Sequence, residues 1–110
     1  MFEKDLKIAY LLDFYGEVLT ERKKEVLDMY YNEDLSLAEI AEQIGISRQG
    51  VRDLIRKGQE ELYFLESKLA LAERMHLLRR HTERIREISQ DTQLPSDLLD
   101  EIDEISRLIK

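Results

Sequence analysis

No cysteine occurs in the 110 residues. That excludes a disulfide framework, a cysteine-based zinc or iron–sulfur centre and a thiol nucleophile. The chain has two histidines, His76 and His81, with no partner at ligand spacing, so neither a metal nor a cofactor is expected. One proline and four glycines leave few places to turn. Strand-rich domains need many turns, so an all-α fold is favoured. Tryptophan is missing and aromatics make up only 7%. The longest apolar run, Ile8 to Leu12, is too short to span a bilayer, and the first ten residues lack the basic start and long apolar stretch of a secretory signal. The expected location is cytoplasmic, without membrane insertion. There is no glycine-rich phosphate loop, no nucleophile elbow and no acid–base motif, and the carboxylates scatter over solvent-face positions. The expectation is a protein that is not an enzyme.

Apolar residues make up 43% of the chain and charged residues 37%, enough for a thin core in one domain with an appended helix or arm. Helical apolar spacing runs from Phe2 to Leu19, with Gly16 placed to cap the end. Thr20 reads as the N-cap of a second helix with Val26, Leu27, Met29, Tyr30 and Tyr31 on its apolar face. Asn32-Glu33-Asp34 ends it, with Asn32 expected to take the left-handed conformation needed there. Ser36 and Glu39 form a capping box before a short helix that buries Leu37, Ile40, Ala41 and Ile44. Gly45 stops that helix and Ser47 caps the next. Beyond it lies either one long helix or two, broken near Gly58 or near the histidines. An unbroken helix over 47–90 would be about 66 Å long and would need a bend or a partner. After Pro95, Leu98, Ile102, Ile105 and Ile109 outline a final amphipathic helix. The expected organisation is five or six helices: a helix-turn-helix domain over 1–62, then a helical arm over 63–110 through which the chain forms a homodimer.

The informative segment is LSLAEIAEQIGISRQGVRDLIRK, Leu35 to Lys57. A helix-turn-helix needs a small residue where its two helices cross, a turn residue free to take positive φ, apolar anchors on both sides, and a cap for the second helix. Ala41, Gly45 and Ser47 meet the first, second and fourth needs, and Ile40, Ile44, Ile46, Val51 and Leu54 supply the anchors. Arg48, Arg52 and Arg56 then recur every four residues with Lys57 beside them. From Ser47 to Gly58 there are four basic residues and one acid, Asp53, in a chain of net charge −7. Such a helix places its N-terminal Ser47, Arg48 and Gln49 against base edges, with Arg suited to guanine and Gln to adenine. Arg52, Arg56 and Lys57 are candidates for phosphate. The same stripe also fits a solvated face whose cations pair with Asp53, Glu60 or Glu61.

A second basic region holds Arg74, Arg79, Arg80, Arg84 and Arg86, with Glu83 the one acid from 74 to 86. Residues 91–110 carry six acids against two bases. RNA phosphates, or pairing of these opposite patches within or between chains, are the alternatives for this region.

The stretch LTERKKEVL followed by LSLAEIAEQIGISRQGVRDLIRKGQEEL resembles region four of bacterial sigma-70-type factors, a promoter-reading helix-turn-helix without a wing. Over YLLDFYGEVLTERKKEVLDMYYNEDLSLAEIAEQIGISRQGVRD the chain is similar to the YlxM family of small bacterial helix-turn-helix proteins. That resemblance implies a nucleic-acid-binding regulatory or accessory role in the signal recognition particle pathway, with DNA, the particle's RNA or its GTPase as partners. The alternative is a sequence-specific transcriptional regulator unrelated to the particle.

Overall fold

In the computed structural model residues 6–109 are described, and among them are six α-helices and no strand. The helices are α1 (Leu6–Tyr15), α2 (Glu21–Tyr31), α3 (Leu37–Ile44), α4 (Arg48–Leu69), α5 (Leu71–Gln90) and α6 (Ser96–Leu108). The chain divides into two compact units, Met1–Ala70 and Leu71–Lys110.

Unit 1 is built around α4, against which α1, α2 and α3 all pack. Its core takes Ile8, Leu11 and Tyr15 from α1, Val26, Leu27 and Tyr30 from α2, Ile40 and Ala41 from α3, and Val51, Ile55 and Leu62 from α4. The α4 positions recur at intervals of four and seven, one stripe of a single helix. Three polar ties hold the second half of α4 to its neighbours: Tyr15 Oη donates to Glu66 Oε1 (2.6 Å), Lys23 pairs with Glu61 (3.0 Å), and Gln59 donates to Tyr31. Val51 and Ile55 seat the first half of α4 in the same core.

Several local expectations meet a different outcome. Phe2 lies outside the described residues. Gly16 does not act as a left-handed cap: α1 ends at Tyr15 and Gly16 opens a short 3-10 turn to Val18. Asn32 stays right-handed, held by its backbone N–H to the Asp28 carbonyl, and Asp34 takes the left-handed conformation instead, with φ 56°. The long helix breaks neither at Gly58 nor at the histidines but at Ala70, which has φ 52°. Gly58 is buried in the middle of α4 because Leu27 of α2 packs directly on it. A Cβ there would stand 2.7 Å from Leu27 Cδ1. Residues 63–69, placed in the arm by spacing alone, continue α4 inside unit 1.

Unit 2 is a hairpin of α5 and α6. Pro95 precedes α6, and Asp97 in its first turn accepts from the Leu98 N–H (3.0 Å). Arg86 reaches Asp103 (3.2 Å) and Ser106 (2.9 Å), and Arg79 donates to the Ile109 carbonyl (2.8 Å).

Candidate nucleic-acid interface

The turn between α3 and α4 is fixed by three local devices. Ser36 Oγ accepts the Glu39 N–H and Glu39 Oε1 accepts the Ser36 N–H, both at 3.1 Å, so the start of α3 is capped reciprocally. Gly45 sits at φ 74° while its own N–H and that of Ile46 both return to the Ala41 carbonyl, at 2.9 and 3.2 Å. Ser47 Oγ accepts the Gly50 N–H at 3.0 Å and starts α4. Ala41 and Val51 are buried on the two sides of this turn.

Because nothing lies within 4 Å of a Cβ built on Gly45, Gly45→Ala tests backbone strain alone. It is expected to cost about 1–2 kcal/mol, the penalty of left-handed backbone for an L-residue, read as a lowered midpoint in thermal or urea unfolding.

The hydrogen bonds from the Ser36 backbone and hydroxyl hold the Glu39 carboxyl below the usual value of 4.5. Since the folded-state pKa lies below the unfolded one, the capping-box contribution is complete above that ordinary value and is lost as pH falls through the folded one. Glutamine keeps the cap without titrating. Glu39→Gln is therefore expected to flatten the acid limb of stability while leaving neutral-pH stability nearly unchanged. Urea midpoints measured from pH 6 down to about 3 check this, and an unaltered acid limb would refute it.

On the outer face of α4, Arg48, Gln49, Arg52, Arg56 and Lys57 are all exposed. They are not equally available. Arg56 pairs with Glu60 (3.3 Å) and approaches Asp53 (4.0 Å), and Gln49 donates to Asp53 (3.1 Å). Asp53 and Glu60 thus draw on the stripe as the solvated-face alternative anticipated, whereas Glu61 turns to Lys23. Among the described residues Arg48 and Lys57 form no ion pair. Ser47 is exposed but its hydroxyl is occupied as a cap. Of the proposed anchors, Ile40 and Val51 are buried, Ile44 and Leu54 half-buried, and Ile46 is 37% exposed. Leu37 too is only half-buried.

The structure brings one group to this surface that spacing does not reveal. Ser36, Leu37 and Ala38, at the start of α3, line a hollow of about 360 Å³ together with Arg48, Gln49 and Arg52. The positive end of a helix and two arginines share one concavity, an arrangement suited to an anion. The capping box marks that helix start in the sequence, but only the crossing of the helices sets it beside Arg48.

The second basic region is divided. Arg79 is half-buried and Arg86 exposed, both engaged with α6 as described, and Arg84 pairs with Glu87 (3.2 Å). Arg74 and Arg80 are exposed, without an ion pair among the described residues. His76 and His81 are exposed, and no group of residues able to hold a metal ion occurs among the described residues. No described helix is long and apolar enough to cross a membrane.

An all-helical core, a capped short helix, a left-handed glycine turn and a second helix with a basic outer face define a helix-turn-helix protein. Comparison with known proteins narrows this. Residues 2–105 match the family described as "Putative helix-turn-helix protein, YlxM / p13 like". Relatives include a UPF0122 protein of Clostridium kluyveri, 52% identical over 71 residues, which are 64% of each chain. A UPF0122 protein of Acetivibrio thermocellus is 47% identical over 89 residues, 81% of this chain and 74% of that one. A UPF0122 protein of Thermoanaerobacter sp. is 38% identical over 108 residues, 96% of this chain and 92% of the relative. The match to the C. kluyveri protein covers less than two thirds of its length, and that to the Thermoanaerobacter protein nearly all. The chain belongs to the UPF0122 (YlxM-like) family.

Proposed function

We propose that this protein is a non-enzymatic, nucleic-acid-binding regulatory or accessory factor that reads duplex DNA with the first turns of α4. The observation that carries the reading is the placement of Arg48, Gln49 and Arg52 on the exposed start of α4, at a hollow shared with the start of α3. A helix-turn-helix sets its second helix in the major groove while the first crosses the backbone. Here Arg48 and Gln49 are the base-reading residues, with Arg52 and Lys57 on flanking phosphates. A phosphate in the hollow would meet the positive end of α3 as well as the arginines.

A net charge of −7 with a local excess of +3 from Ser47 to Gly58 favours binding through this face alone and suppresses indiscriminate association. The similarity to YlxM-type proteins adds a second reading, an accessory role in the signal recognition particle pathway. Exposed Arg74 and Arg80 on α5 are the observation that favours it, as cations open to RNA phosphates.

The test is selection by the full chain from a randomised duplex DNA pool, with a structured RNA pool run in parallel. Enrichment of a duplex motif supports DNA reading. Enrichment of structured RNA alone, lost on changing Arg74 and Arg80 to Ala, transfers the function to α5. No enrichment from either pool refutes nucleic-acid binding.

A further inference from the structure

Unit 2 cannot hold itself together with the contacts it makes internally. Among its described residues only Ala72, Thr82, Ile102 and Ile109 are buried. Two isoleucines, an alanine and a threonine are too little burial to order two helices of 20 and 13 residues. Meanwhile Leu77, Leu78, Ile85 and Ile88 of α5 are each 40–50% exposed, and Leu98 and Ile105 of α6 about as much. Spacings of seven from Leu78 to Ile85 and from Leu98 to Ile105 keep these residues in one stripe along each helix.

The borders of the stripes are charged, with opposite signs on the two helices. From Arg74 to Arg86, α5 carries five arginines and one acid, whereas from Asp97 to Glu104 α6 carries five acids and no base. An ion pair between the helices joins Arg86 to Asp103. Arg74 and Arg80 on α5, and Asp100 and Glu101 on α6, have no ion-pair partner among them. Arg74 precedes Leu77 and Leu78 by three and four residues, and Glu101 stands three after Leu98 and four before Ile105, so each borders the apolar stripe of its own helix. An apolar surface edged with cations on one helix and anions on the other is complementary to itself under a two-fold rotation.

We infer that the α5–α6 hairpin is a self-association surface whose occupant is the same hairpin of a second copy. The exposed leucines and isoleucines of α5 and α6 form the shared core, and Arg74 of each chain faces the acidic α6 of the other. Two hairpins make a four-helix assembly of the kind that buries such stripes. It presents two helix-turn-helix modules, whether or not those modules bind nucleic acid.

The test uses the full chain. Sedimentation equilibrium between 1 and 100 µM (about the range of weak dimers) is expected to give about 26 kDa, twice the 13.1 kDa of one chain. Ile85→Glu is expected to give a monomer that loses helical circular dichroism by no more than the share of α5 and α6, with unit 1 still folded. Arg74→Glu is expected to raise the dimer dissociation constant about tenfold or more, and adding Glu101→Arg to restore it. Because the chain has no cysteine, any thiol crosslink in a single-cysteine variant joins two chains. A short bismaleimide is expected to couple Leu78→Cys or Ile85→Cys but not Glu87→Cys. A monomer throughout the concentration range overturns the proposal. So does a dimer that persists in Ile85→Glu and crosslinks equally through Glu87→Cys.

Discussion

Replacing both Arg48 and Arg52 with alanine is expected to lower affinity for a selected duplex about thirtyfold or more, at about 1–3 kcal/mol for each arginine at a base or closely held phosphate. Both side chains border the hollow at the start of α3, one turn apart on α4. Arg56→Ala is expected to do less than Arg48→Ala, because Arg56 is already engaged with Glu60 and Asp53 and its transfer to phosphate must first break those pairs. The salt dependence separates the two roles. Each lost phosphate contact reduces the slope of log K against log salt by about 0.9, whereas a lost base contact leaves the slope nearly unchanged. Arg52→Ala is therefore expected to flatten the slope, and Arg48→Ala to relax sequence preference. These side chains are exposed, so thermal midpoints should stay within the small range of ordinary surface substitutions. Binding unaffected by the double change would place the interface elsewhere on the molecule.

Altering the contact between α2 and α4 is expected to have the largest effect on stability. At Gly58 a Cβ would meet Leu27 Cδ1 at 2.7 Å, and Leu27 is itself fully buried and unable to swing away freely. Two effects of opposite sign compete in Gly58→Ala. Alanine gains about 1 kcal/mol of helix propensity over glycine. Overpacking a filled core costs about 1–3 kcal/mol. The expected net is a modest loss. Gly58→Val adds a second branch and loses most of the propensity gain, so it is expected to destabilise by about 2 kcal/mol or more. The diagnostic variant is the pair. Leu27→Ala alone should cost about 2–5 kcal/mol through the cavity it leaves, and noticeably less when Gly58→Ala supplies a methyl to that cavity. Additive effects in urea unfolding would show that the two residues do not share one space.

Much of unit 1 could be read from neighbouring residues. Thr20, Ser36 and Ser47 each accept an N–H three residues on, at Lys23, Glu39 and Gly50, as their spacing indicates. Gly45 takes the positive φ expected of it. Where two residues competed for one role, spacing chose wrongly. Asn32 and Asp34 both tolerate left-handed backbone, and the return of the Leu35 N–H to the Met29 carbonyl puts the reversal at Asp34.

The amino-acid sequence by itself determined the helical class, the N-caps at Thr20, Ser36 and Ser47, the glycine turn and the basic stripe from Arg48 to Lys57. These depend on residues three or four apart on one helix, and such neighbours are set by helix geometry alone. Only the tertiary structure decided that Gly58 is a crossing point and not a break, and that Glu61 serves Lys23 while Glu60 holds Arg56. It also set the start of α3 beside Arg48. Each of these turns on which distant surface a residue meets, and the packing of α1, α2 and α3 against α4 settles that through burial and close approach, for which local spacing carries no signal.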